Sequence, residues 1–192
     1  MSDFDASTTA IADITGDYTI DPSHSRLGFV ARHAMVTKVR GSFNEFAGTG
    51  QLDLENPSNS RIDLTIQTAS IDTRNADRDA HLRSNDFFDM ENHPQIRFVS
   101  TTADRVDADH YRVTGDLTIK GVTKPVAVEF EYIGAAVDPY GNQRVGFEGT
   151  TTINRKDFGV SWNAALEAGG VLVGEKVVLE FEVSAIRTPD AA

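Results

Sequence analysis

From Tyr111 onward the chain repeats one short pattern, an apolar residue at every second position. Val126, Val128, Phe130 and Tyr132 alternate with Ala127, Glu129 and Glu131. Val145, Phe147, Gly149, Thr151 and Ile153 alternate with Gly146, Glu148, Thr150 and Thr152. Val177, Leu179, Phe181 and Val183 alternate with Val178, Glu180 and Glu182. A β-strand turns successive side chains to opposite faces, so period two gives each strand one dry face and one wet face. Many such strands with few helices must bury their dry faces against one another, and closing the sheet into a barrel does this.

The first half of the chain carries the same signal with interruptions. Tyr18–Ile20 reads as a strand, turned or kinked at Asp21-Pro22-Ser23. In Arg26–His33, residues Leu27, Phe29, Ala31 and His33 share one face. Between Val39 and Leu54 the apolar parity switches, which predicts a bulge near Asn44-Glu45 that bends the strand. Ile62, Leu64 and Ile66 point inward from the next strand. Lys120-Gly121 marks a tight hairpin connection, and Asp138-Pro139-Tyr140-Gly141-Asn142 a turn. The expected fold is all-β, an antiparallel barrel of about eight strands, a number that holds either side chains or one small ligand.

The rhythm breaks once. Asn75–Asn92 lacks alternation and reads as a short helical insertion that caps one end of the barrel. Asn75 suits an N-cap, and Asp77 and Asp79 suit the first turn, where the helix dipole favours acids. Residues 1–15 read as a disordered N-terminal tail, 16–188 as the barrel domain and 189–192 as a C-terminal tail.

An apolar barrel interior is either a packed core or a container. The inward parity is rich in small residues: Ala31, Gly41, Gly48, Gly50, Ser100, Gly115, Gly149 and Thr151. Small residues at these places leave volume at the axis, lined by phenylalanines, and such a tunnel suits an elongated apolar guest. Glycines also serve strand curvature alone, so the pattern by itself leaves both readings open.

Composition removes several function classes. The chain has 192 residues and no cysteine, so disulfides and thiolate metal sites are excluded. Its net charge of −11 makes for an acidic surface that repels phosphate backbones and anionic membranes, which argues against nucleic-acid binding and peripheral membrane attachment. The opening residues show no signal peptide and no stretch is apolar enough for an integral membrane segment, so a soluble cytoplasmic protein is expected, or a periplasmic or secreted one if a leader has been removed. No nucleophile–base pair or metal-ligand spacing is present, and neither catalysis nor a cofactor is expected. Neighbours on a strand face opposite ways, so Ser23-His24 is expected to serve turn hydrogen bonding beside Pro22 rather than as a nucleophile–base pair. His33 follows the inward parity or sits at a rim, where a neutral imidazole can hydrogen-bond a head group or serve structure alone. A rival reading makes His33 and Asp79 acid and base of a lipid-modifying enzyme. Another makes the barrel a scaffold for protein interaction.

Several segments in order resemble one family. They are Ile20-Asp21-Pro22-Ser23-His24-Ser25, Val39-Arg40-Gly41-Ser42-Phe43, Ser70-Ile71-Asp72-Thr73, Arg78-Asp79-Ala80-His81-Leu82-Arg83-Ser84, Pro94-Gln95-Ile96-Arg97-Phe98 and Asn154-Arg155-Lys156-Asp157-Phe158-Gly159. Together they resemble the YceI-like, polyisoprenoid-binding proteins. The resemblance implies a lipocalin-like eight-stranded barrel with an apolar tunnel that holds a polyisoprenoid, an isoprenoid quinone tail or a fatty-acid derivative. Members tend to crystallise as dimers, so a homodimer is also an expectation. The candidate ligand-contacting residues are Phe29, Ala31, Phe43, Phe87, Phe98 and Leu117, with Phe130, Phe147 and Phe158. His33 and Trp162 are the candidates for meeting the head group at the mouth.

Overall fold

Alternation becomes pairing throughout the computed structural model, which describes residues 14–190. The strands are β1 (Gly16–Ile20), β2 (Arg26–His33), β3 (Thr37–Phe43), β4 (Phe46–Leu52), β5 (Arg61–Gln67) and β6 (Ile71–Asp72). The helix α1 (Ala76–Arg83) follows, then β7 (Gln95–Arg105), β8 (His110–Ile119), β9 (Val122–Val137), β10 (Gln143–Asn154) and β11 (Val173–Arg187). Every pairing is antiparallel, in the order β1-β4-β5-β7-β8-β9-β10-β11, and β11 returns to β1. The sheet therefore closes and leaves no edge along this circuit.

The eleven segments make an eight-stranded barrel because three walls are each broken once. β1 and β2 are one wall strand interrupted by the turn at Pro22–His24, and β3 and β4 are one strand interrupted at Asn44-Glu45, where the parity switch predicted a bulge. β5 and β6 are separated by the turn at Thr68–Ser70. As a result one edge of β11 serves two partners, β1 through Ala185–Arg187 and β2 through Val173 and Val177–Glu182. Lys120 (φ 50°) and Gly121 (φ 75°) join β8 to β9 in a two-residue turn with both φ positive, the geometry whose twist matches antiparallel strands.

The lower end is filled. Ile14, Tyr18, Leu54, Tyr111, Val145 and Ala185 form a buried cluster there, and the Tyr18 hydroxyl donates to the Ile14 carbonyl at 2.7 Å. Burial pushes the Tyr18 phenol above its ordinary range. Ile14 falls inside the segment read as a tail, yet it is completely buried. Sequence pattern missed it because a single plugging residue has no period. Residues 1–13 and 191–192 lie outside the described residues, so the rest of the two tail assignments does too.

The kink between β1 and β2 is held from outside. Arg144 donates to Asp21 at 2.8 Å and to Asp138 at 2.7 Å, and Asp21 also accepts the Ser23 amide at 3.0 Å. The Arg144 guanidinium, followed by the Ser23 hydroxyl, holds the Asp21 carboxyl far below the usual carboxylate range, and Arg144 does the same for Asp138. Both carboxyls thus bind protons more weakly folded than unfolded. Their stabilisation is complete above about pH 4 and is lost as the pH falls below it. Arg144→Gln should remove much of this acid sensitivity, so thermal melts at pH 7 and pH 3 should differ less in the variant than in the wild type.

The helix is shorter than the sequence suggests. Asn75 caps it by accepting the Arg78 amide at 2.9 Å, but it ends at Arg83 rather than near Asn92. Ser84 adopts an extended conformation and its hydroxyl donates to the His81 carbonyl at 2.6 Å. Serine, asparagine and aspartate in succession compete locally for backbone hydrogen bonds and stop the helix.

Candidate functional site

The inward faces enclose a cavity in which the centre of a water-sized sphere has about 280 Å³ to move. That is roughly twenty times the ~10–15 Å³ one water requires. Its exposed lining is almost wholly apolar. The wall is built by parity alone: Val177, Leu179, Phe181 and Val183 line it from β11, and Val126, Val128 and Phe130 from β9.

The inward glycines act differently from the sequence expectation. A methyl group on Gly115 would meet the Phe98 ring at 2.5 Å, and one on Gly149 would meet the Phe130 ring at 2.6 Å. The Phe29 ring likewise covers Gly41, its directly opposed partner. Each of these glycines therefore makes room for a ring from a neighbouring strand, which occupies the place a side chain would otherwise take. Gly48 gives Ile20 and Leu64 the same accommodation.

Nine of the residues named from sequence line this cavity: Phe29, Ala31, Phe43, Phe87, Phe98, Leu117, Phe130, Phe147 and Phe158. His33 does not. It is exposed at the end of β2, opposite Val173, beyond which β11 has a register shift. The inward parity of β2 stops at Ala31, where the facing strand β11 is bulged between Val173 and Val177. Trp162 does not line the cavity either. Its ring packs on Phe87 (5.3 Å between centroids) and edge-on to His81 (4.7 Å).

The upper end carries a lid. α1 and the residues after it place Leu82, Phe87 and Phe88 over the lumen. Phe88 meets Phe43 edge-to-face at 5.9 Å, and Phe43 meets Phe29 at 5.8 Å, so the lid faces the inner side of the β2–β3 hairpin. Phe29, Phe43, Leu82 and Phe88 are only partly buried, whereas Phe87 and Phe158 beside them are fully buried. The mouth thus lies between hairpin and lid. The charged cluster on α1 fastens the lid to the wall. Asp79 is buried and accepts both the amide (2.9 Å) and the hydroxyl (2.5 Å) of Thr73. Arg78 donates to the Thr73 carbonyl at 2.7 Å, and Arg83 to the carbonyls of Ala69 (2.9 Å) and Ile71 (3.1 Å). Neither His33 nor Asp79 lines the lumen, so that acid–base pair is not assembled over it.

Sequence reasoning did not single out the polar residues at the lining, Thr49, Gln51, Ser60, Arg61 and Arg155. Arg155 is 6% exposed and donates to the carbonyls of Val160 (2.7 Å), Gly174 (2.8 Å), Trp162 (2.9 Å) and Val173 (3.1 Å). Burial pulls its pKa below the ordinary guanidinium value. Its fork of donors ties the irregular segment between β10 and β11 to the barrel rim. Leu82 and Phe88 were also missed, since lid residues outside the strands have no parity to read. Among the described residues no group of acidic or histidine side chains is arranged to hold a metal ion, and no helix is long and apolar enough to cross a membrane.

Comparison with known proteins agrees with this architecture. Protein YceI of Escherichia coli O157:H7 is 42% identical over 149 residues, covering 77% of this chain and 78% of that protein. The crystal structure of the Campylobacter jejuni YceI protein is 28% identical and superposes with a TM-score of 0.71, covering 82% of this chain and 90% of that one. A polyisoprenoid-binding domain from Saccharophagus degradans, implicated in plant cell wall breakdown, shares the fold at 14% identity with a TM-score of 0.67, covering 89% and 98% of the two chains. The family model described as the YceI-like domain matches residues 18–185, from the first wall strand to the last, and the chain belongs to that family.

Proposed function

We propose that this protein is a non-catalytic carrier or store of a long-chain apolar molecule, with a polyisoprenoid as the favoured class. The observation that carries the reading is an apolar lumen of about 280 Å³ whose inward glycines make room for the rings beside them. Burying an alkyl or isoprenoid chain gains roughly 0.8 kcal/mol per methylene-sized group, so a few isoprene units suffice for useful affinity. The polyisoprenoid-binding domain that shares the fold supports the choice of class.

The test is native mass spectrometry of the purified protein, followed by uptake of a polyprenol into delipidated protein. Protein that purifies empty and fails to take up the polyprenol overturns the reading. Leu179 lines the lumen at mid-strand. Leu179→Trp should fill the space and weaken uptake at least about tenfold while the fold persists, because a close-packed wall cannot give way to both indole and guest.

A further inference from the structure

We propose that the tip of the β2–β3 hairpin docks on an anionic bilayer surface, so that the mouth of the cavity opens directly onto lipid. This rests on the carrier reading and names the partner from which the cargo comes.

The hairpin tip is built against local preference. The Val36 amide donates to the His33 carbonyl at 3.1 Å, and the two central residues, Ala34 (φ 51°) and Met35 (φ 62°), both occupy the left-handed region. Such a turn favours asparagine and glycine. Here it presents Met35 (66% exposed) and Val36 (75% exposed) to solvent instead. The Ala34 amide donates to the Leu172 carbonyl at 2.7 Å, and the Met35 sulfur lies over Gly170, so the tip is continuous with the segment carrying Ala165 and Leu166. The core uses none of this exposed apolar surface.

Charge says what covers it. The stretch Arg32–Arg40 holds Arg32, Lys38 and Arg40 and no acid, within a chain of net charge −11. Arg32 and Lys38 sit directly opposite each other across the hairpin. Like charges so placed destabilise a strand pair, and among the described residues neither makes an ion pair. Arg40 shares Glu180 with Arg26 at 3.7 and 3.6 Å; Glu175, in the β11 bulge beside Arg32, is paired with Lys156 at 2.7 Å, and Glu167 lies on the neighbouring segment. An apolar point ringed by cations complements the headgroups and acyl boundary of an anionic bilayer. A second copy fits less well. Tip against tip would oppose cations to cations. The other exposed apolar cluster, Ile133, Val137 and Tyr140, belongs to the β9–β10 hairpin at the opposite end of the barrel. Joining tip to that cluster would give an open chain of copies rather than a closed dimer. The position also suits transfer, since the inner face of the same hairpin carries Phe29, Ala31 and Phe43 into the mouth.

The experiment is flotation of the full chain with vesicles of phosphatidylcholine plus phosphatidylglycerol, and with phosphatidylcholine alone, at low and high salt. Binding is expected only to the anionic vesicles and to weaken with salt. Two variants are compared, Arg32→Glu with Lys38→Glu, and Met35→Ser with Val36→Ser. Each should reduce vesicle binding at least about tenfold, as expected when interfacial charges or buried apolar groups are lost. Each should keep wild-type uptake of a polyprenol from detergent micelles, where no bilayer is involved. Equal binding to neutral vesicles, or variants that bind as the wild type does, overturns the proposal. So does a sedimentation velocity result in which Met35→Ser with Val36→Ser turns a dimer into a monomer, because the tip is then an interface between copies. Wild-type protein that docks on vesicles but takes up nothing from micelles defeats the carrier reading and leaves docking intact.

Discussion

Replacing Arg155 by methionine is expected to cost about 3–5 kcal/mol of stability and to lower Tm by roughly 10 °C. Methionine replaces the volume but none of the donors. The carbonyls of Val160, Trp162, Val173 and Gly174 would lose their partner together. Buried acceptors left unpaired carry their full desolvation cost, which exceeds the worth of the bonds themselves. Arg155→Lys should recover little, because one ammonium cannot span four acceptors that a planar fork reaches at once. Thermal melts of the two variants beside wild type check this. A Tm within about 2 °C of wild type for Arg155→Met, less than the shift of 1 kcal/mol in a chain of this size, would show that these carbonyls find water instead.

The second large effect is expected at a glycine. Gly115→Val should destabilise the barrel by about 1–3 kcal/mol and abolish uptake of an apolar chain. The new side chain would meet not only the Phe98 ring but the Val99 carbonyl oxygen, 2.6 Å from the first added carbon. The ring can move, and the direction left to it is across the lumen. The carbonyl belongs to the β7–β8 ladder and can move only by disturbing that pairing. Valine favours strands, so propensity cannot account for a loss. Gly146→Ala is the control, since its nearest neighbours would be an ordinary 3.7–4.0 Å away. That variant should retain both wild-type uptake and wild-type stability to within about 0.5 kcal/mol. Uptake by a Gly115→Val protein at the wild-type level would mean that the ring is not what keeps the lumen clear.

Much of the fold is readable from local chemistry, and the reasons are particular. Alternation places Leu179 and Phe181 on the inner face because side-chain direction in a strand depends only on counting. The parity switch at Asn44-Glu45 marks the broken wall because one skipped residue reverses every later side chain. Asn75 marks its helix because the cap needs only a residue three positions away. What escapes is set by partners far along the chain. Parity says that Gly115 and Phe98 face inward but not that one lies on the other. It carries His33 past Ala31 because counting along one strand cannot see the bulge in the strand that faces it. Arg155 looks like any charged residue after a strand, until segments many residues later turn their carbonyls toward it.

The rings seated over glycines have a consequence for selectivity. They keep the lining almost wholly apolar, with hardly a polar atom to anchor one point of a guest. For the carrier proposed above, such a lining would gauge girth and overall greasiness more than the place of any one branch or double bond. Discrimination between guests of the same thickness then amounts to small increments per carbon, so the proposed carrier is expected to take up a homologous series rather than a single compound.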